Sequence, residues 1–142
     1  MTAGEPSSVT DADRVRARLL SEHAELLETT VTCADAVAAT WDGGYATDRT
    51  AVVPPLARRL SEAGVTARLP AVLSDAVSVL GESLPAPPVA APPYVTVTSV
   101  GPVLRATLSE SRLVLTIRVF SVEDGRYRRA EGREEGFHAE FR

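Results

Sequence analysis

The stretch Leu84-Pro-Ala-Pro-Pro-Val-Ala-Ala-Pro-Pro93, running into Tyr94-Val-Thr-Val-Thr-Ser-Val100, divides the chain into two kinds of pattern. Five prolines in ten residues forbid a regular helix and favour an extended path. Before this seam the apolar residues recur at helical spacing. After it they alternate, as in strands with one buried face.

On the strand side, 94–100 places Val95 and Val97 on one face, Gly101-Pro102 is expected to turn the chain, and 103–108 places Leu104, Ala106 and Leu108 inward. Residues 109–111 supply the next turn. The clearest strand is 112–122, where Leu113, Leu115, Ile117 and Val119 alternate with Arg112, Thr116 and Arg118. Glu123-Asp124-Gly125 is a hairpin signal that returns a short strand through 126–129. Residues 131–142 read as a polar tail, with Phe137 and Phe141 as docking points.

On the helix side, Thr10 precedes a helical run with Asp13 at its third position, a capping-box arrangement. Val15, Leu19, Leu26, Cys33, Val37 and Trp41 then fall at steps of four and seven, up to the stop at Gly43-Gly44. A single helix over 11–42 would be roughly 48 Å long, with Thr29-Thr30-Val31-Thr32 as its weak point. A second helix, capped by Thr47 or Thr50, becomes regular near Pro54 and ends at Gly64. A third opens at Thr66 and carries Leu69, Val72, Leu73, Ala76, Val77 and Leu80. The expectation is an α+β fold, three N-terminal helices on one face of a C-terminal antiparallel meander of three or four strands. It forms one domain: a leader over 1–9, a helical part over 10–83, a connector over 84–93, the meander over 94–130 and the tail over 131–142.

Composition narrows the function classes. The 142 residues carry 44% hydrophobic and 24% charged side chains, an ordinary globular balance, and only 5% aromatics. The net charge of −4 disfavours nucleic acid as a partner, since such proteins use a basic surplus to displace counterions. All 15 basic residues are arginine, as GC-rich codons or life in high salt would produce. The single cysteine excludes an internal disulfide and a cysteine zinc cluster, and indicates a reducing compartment. The N-terminus has no basic segment followed by an apolar one, and no apolar run reaches the ~18 residues of a membrane span. A cytoplasmic protein without membrane attachment is expected.

No catalytic set emerges. Gly43-Gly44 lacks the spacing of a phosphate loop. His23 and His138 are far apart in sequence and form no paired metal-ligand motif, so no metal or cofactor is expected. His23 reads as a boundary histidine, Cys33 as a small buried hydrophobe and Asp75 as an edge residue of its helix. The helix pair over 56–64 and 66–80 has helix-turn-helix spacing, but its second helix offers only Arg68 to read bases.

What survives lies on the strands. By alternation Arg105, Arg112 and Arg118 project opposite the Leu/Val/Ile core beside Thr96, Thr98, Thr107 and Thr116, and guanidinium forks next to hydroxyls can hold phosphate or carboxylate. Tyr94, Val103, Val114 and Phe120 share that parity. An outer face this apolar calls for a cover, either a partner subunit, whether another protein or a second copy, or the tail.

The segments Val89-Ala-Ala-Pro-Pro-Tyr-Val-Thr-Val-Thr-Ser, Gly101-Pro-Val-Leu-Arg-Ala-Thr-Leu and Arg112-Leu-Val-Leu-Thr-Ile-Arg-Val-Phe resemble a family of small uncharacterised haloarchaeal proteins. The resemblance extends from the first helix to the fourth strand. It implies a cytoplasmic haloarchaeal source, which the missing lysine fits, and supplies no activity, cofactor or catalytic residue. The functional expectation is a non-enzymatic protein-interaction or regulatory protein acting through the outer sheet face. The alternative is a nucleic-acid-associated or anionic-ligand-binding module using the three arginines.

Overall fold

The computed structural model describes residues 9–142. All but the last residue of the expected leader lies outside the described residues, and Val9 is exposed. The fold is α+β: four α-helices precede an antiparallel four-stranded sheet and a separate two-stranded ribbon.

Helix α1 (Asp11–Glu22) begins as its sequence dictates. The Thr10 hydroxyl accepts the Asp13 amide at 3.1 Å, and the Asp13 carboxylate accepts the Thr10 amide at 3.3 Å. The single long helix expected over 11–42 is two helices. The chain breaks at His23 (φ −128°, ψ 29°), and α2 (Ala24–Ala38) leaves in a new direction. This correction has a packing cause. The buried residues Val15 and Leu19 belong to a helix packed on the sheet and on α4 (Val65–Val79), whereas α2, with Leu26, Cys33 and Val37 buried, packs chiefly on α3 (Val53–Glu62), and one straight rod cannot serve both. The threonine cluster is not the weak point. Thr29, Thr30 and Thr32 each donate their hydroxyl to the carbonyl one turn back, at 2.8–3.0 Å, so the helix passes through them intact.

A 3₁₀ turn (Arg49–Ala51) leads into α3 (Val53–Glu62), with proline in its first turn as expected. Asp48 caps the 3₁₀ turn, accepting the Thr50 amide at 2.9 Å, while α3 starts after Val52 without a side-chain cap, so neither threonine caps it. Gly64 (φ 80°) makes the left-handed turn into α4 (Val65–Val79), whose buried residues Leu69, Val72, Leu73, Ala76 and Val77 place it centrally.

The sheet has the order β1 (Val95–Thr98), β2 (Gly101–Thr107), β3 (Arg112–Arg118), β6 (Gly136–Phe141). Its inner face carries Val95, Leu104, Ala106, Leu113, Leu115, Ile117 and Phe137, with α3 against β1, α4 against β2 and α1 against β6. Gly101 and Pro102 are the start of β2, and the turn is at Ser99-Val100, where the Thr98 hydroxyl donates to the Gly101 carbonyl at 2.7 Å. Gly101 is required: at φ 140° a Cβ would lie 1.9 Å from the Ile117 carbonyl oxygen.

Two further expectations are corrected. The strand expected over 112–122 is interrupted at Val119, because the amides of Val119 and Phe120 both donate to the Val100 carbonyl, at 2.8 and 3.1 Å. Beyond that bulge the chain leaves the sheet as the ribbon β4 (Phe120–Glu123) and β5 (Arg126–Arg129), closed at Asp124-Gly125, both at positive φ. The expected polar tail contains β6, the fourth strand of the main sheet. Phe137 and Ala139 alternate with His138 and Glu140, a period of two that the surrounding charges obscure, and β3 pairs with it over six residues.

Candidate functional site

The outer face of the sheet is built from every second residue. Thr96 pairs with Val103, Arg105 with Val114, Thr107 with Arg112, and on the far side Val114 faces Glu140 and Thr116 faces His138. Arg105, Arg112 and Arg118 share this face, as alternation requires. They are not one cluster. Arg105 and Arg112 are diagonal neighbours across β2 and β3, about 7–8 Å apart at the backbone. Arg118, paired with Gly136, is six residues along β3 from Arg112, ~20 Å away.

Of the apolar candidates, Phe120 is not on this face. The bulge at Val119 breaks the alternation, so Val119 and Phe120 are both buried, and the Phe120 ring lies 5.3 Å from that of Trp41. Val103 and Val114 do face outward, but at 6% and 3% exposure they offer almost no apolar surface to a partner. Tyr94 is half-buried at the β1 end, its carbonyl accepting the Arg105 amide at 2.9 Å. The surface presented is therefore polar, with arginine and threonine uppermost.

Tyr94, Arg105 and Arg112 border one hollow of about 420 Å³, with Leu84, Pro85, Pro93, Ala106 and Thr107 completing its wall. The Pro-rich connector thus forms one side of the hollow and the sheet the other. Four arginines are half-buried: Arg16, Arg105, Arg118 and Arg129. Two of them have partners within the protein. Arg16 donates to the Phe137 carbonyl at 2.7 Å, and Arg129 joins Asp35, Glu135 and the Val119 carbonyl, tying the ribbon to α2 and to the segment before β6. Arg105 has no side-chain hydrogen bond or ion pair among the described residues. The Arg118 Nε is buried with no partner. A guanidinium nitrogen withdrawn from water without an acceptor is costly, which is the situation of Arg118, whereas the Arg105 fork keeps contact with solvent and is free to meet an anion.

Beside the hollow a second one, about 430 Å³, lies over the β2–β3 turn and shares Thr107 and Arg112 with the first. Glu82 closes that turn by accepting from the Ser109 amide and hydroxyl, at 3.1 and 2.9 Å.

The other titratable candidates are accounted for locally, with one exception to the sequence reading. His23 and Asp75, taken separately above, meet: His23 Nε2 is 3.1 Å from Asp75 Oδ2, and Arg18 Nε is 3.9 Å from the other carboxylate oxygen. They are 52 residues apart, on elements whose antiparallel packing no local pattern announces. Cys33 is buried, with its sulfur 3.6 Å from the Arg59 carbonyl oxygen. Burial pushes its thiol pKa up, and the nearby Arg59 charge opposes this only in part, so the thiol stays protonated at neutral pH. Among the described residues no group of three or more His, Cys, Asp or Glu side chains is placed to hold a metal ion, and no helix is long and apolar enough to cross a membrane.

The architecture defines a class: an α+β protein whose helices cover one sheet face and leave an arginine- and threonine-bearing face open. Within it, a family model described as "Domain of unknown function (DUF7988)" matches residues 13–142, and the chain belongs to that family. No curated protein and no solved structure matches the chain.

Proposed function

We propose that this protein binds an anionic small molecule with an apolar body, such as a carboxylate or phosphate monoester, in the hollow between the Pro-rich connector and the outer sheet face. The observation that carries this reading is the position of Arg105, a half-buried residue whose guanidinium is unpaired among the described residues, at the wall of a hollow that Arg112 also borders. The two forks supply charge-assisted hydrogen bonds to the anion. Leu84, Pro85, Pro93 and Tyr94 supply the surface that receives the apolar part. A polyanion fits less well, because Arg118 stands at the opposite end of the face and the net charge of −4 repels a nucleic-acid backbone. Binding of this type suits a sensor or regulatory role. A cytoplasmic, haloarchaeal setting belongs to the same proposal and draws support from the wholly arginine basic complement.

Calorimetric titration with phenyl phosphate, benzoate, inorganic phosphate and a single-stranded oligonucleotide tests the reading. Phenyl phosphate and benzoate are expected to bind more tightly than inorganic phosphate, with affinity falling as salt rises. Each charge-assisted contact is worth about 1.5–3 kcal/mol, so Arg105→Ala with Arg112→Ala abolishes measurable binding while Arg118→Ala leaves it intact. Equal binding by the double variant, or oligonucleotide binding tighter than either aryl anion, overturns the assignment.

A further inference from the structure

We propose that β6 pairs with β6 of a second copy about a two-fold axis at Ala139, joining two four-stranded sheets into one continuous sheet. β6 is the terminal strand of the sheet, with β3 on one side only. Arg112 and Arg142 exchange both backbone hydrogen bonds, at 2.8 and 2.9 Å, which sets the phase of the ladder. The even-numbered residues of β6 therefore turn their N–H and C=O toward β3, and Phe137, Ala139 and Phe141 turn theirs outward. Among the described residues, the one partner of these outward groups is the Arg16 guanidinium on the Phe137 carbonyl.

The outward set is symmetric about Ala139, which is what an antiparallel pairing of identical strands needs. Ala139 then exchanges both bonds with the partner copy's Ala139, and Phe137 does so with the partner copy's Phe141. The Phe137 carbonyl has a second lone pair, so it accepts the new amide without releasing Arg16. Side chains agree with this register. His138 falls opposite Glu140 of the other copy on the outer face, at a non-hydrogen-bonded pair where the approach is closest, and an imidazole N–H there can donate to the carboxylate. On the inner face Phe137 falls opposite Phe141. A shift of one residue in the pairing loses all three agreements at once.

The exposed apolar side chains point to the same edge. Phe141 is 36% exposed although its parity is that of the core face, and Leu20, 43% exposed, lies one helical turn beyond Arg16 on the side of α1 from which Arg16 reaches β6. A second copy covers Phe141. An extended foreign peptide has no built-in reason to place an acid opposite His138 and an aromatic opposite Phe137, whereas a second β6 does both.

Sedimentation equilibrium from micromolar to millimolar protein is the test. Wild type is expected to show a reversible monomer–dimer equilibrium. The Ala139 amide does not serve the β3 ladder, so Ala139→Pro deletes one donor per chain from the new ladder and keeps the fold. It is expected to raise the dimer dissociation constant roughly 100-fold. Glu140→Arg, a surface change that keeps every backbone bond, is expected to weaken association about tenfold by removing the acceptor opposite His138, and addition of His138→Glu to restore it. Amide exchange at Phe137, Ala139 and Phe141 should slow as protein concentration rises. A wild type that stays monomeric throughout, or a dimer that both Ala139→Pro and Glu140→Arg leave unchanged, overturns the proposal. So does protection of these amides by a peptide but not by added protein.

Discussion

His23 Nε2 stands 3.1 Å from Asp75 Oδ2, and this contact pins the break between α1 and α2 to the C-terminal half of α4. Both side chains are largely withdrawn from solvent, at 17% and 25% exposure, so the hydrogen bond is less screened than one on the open surface. A double-mutant cycle with His23→Gln and Asp75→Asn is expected to give a coupling free energy of about 1 kcal/mol in urea unfolding. Additive single effects would show that the two residues are merely adjacent.

Gly101 offers a sharper test of the sheet. Alanine there must hold φ near 140° while its Cβ meets the Ile117 carbonyl oxygen at 1.9 Å, and that oxygen belongs to backbone that cannot swing aside. Gly101→Ala is expected to cost about 3–5 kcal/mol, read as a lower urea midpoint at unchanged slope.

Phe120 packs inside against Trp41 and is fully buried. Phe120→Ala is expected to cost about 3–5 kcal/mol through loss of transferred surface and the cavity left behind. The emission of Trp41, the sole tryptophan, should shift in the folded variant. A change in association without a change in stability would return Phe120 to the surface.

Cys33 predicts both a labelling rate and a pH profile. Its thiol is buried and its pKa raised, so a thiol reagent should react far more slowly with the native protein than with the urea-unfolded chain. The folded state holds the proton more tightly than the unfolded one. The corresponding stability is complete below the unfolded thiol's pKa, about 8.5, and is lost as pH rises through the higher folded value. Cys33→Ala should remove that alkaline decline. Wild type and variant losing stability in parallel above neutrality would assign the decline to other groups.

The places where the sequence pattern and the structure agree are those where a local rule acts alone. The Thr10/Asp13 capping box, the prolines opening α3, the Asp124-Gly125 hairpin and the alternation along β2 and β3 need no distant partner to be recognised. So does the placement of Arg105, Arg112 and Arg118 on one face. The misses share a different cause. At Val119 and Phe120 two successive amides share the Val100 carbonyl, a long-range event that cancels the strand parity and carries Phe120 inside. At His23 the helix breaks because two packing surfaces diverge.

By itself, then, the sequence determined the α+β class, the order of helices before strands, and which side chains of β2 and β3 oppose the core, because capping, proline chemistry and the period of two are properties of neighbours along the chain. The tertiary structure decided that the C-terminal stretch is a sheet strand with an open edge, that Arg105 and Arg112 share a hollow with the Pro-rich connector while Arg118 does not, and that His23 meets Asp75. Each of these depends on which distant segments are packed together, and that is settled by the burial of the whole core rather than by any one stretch of it.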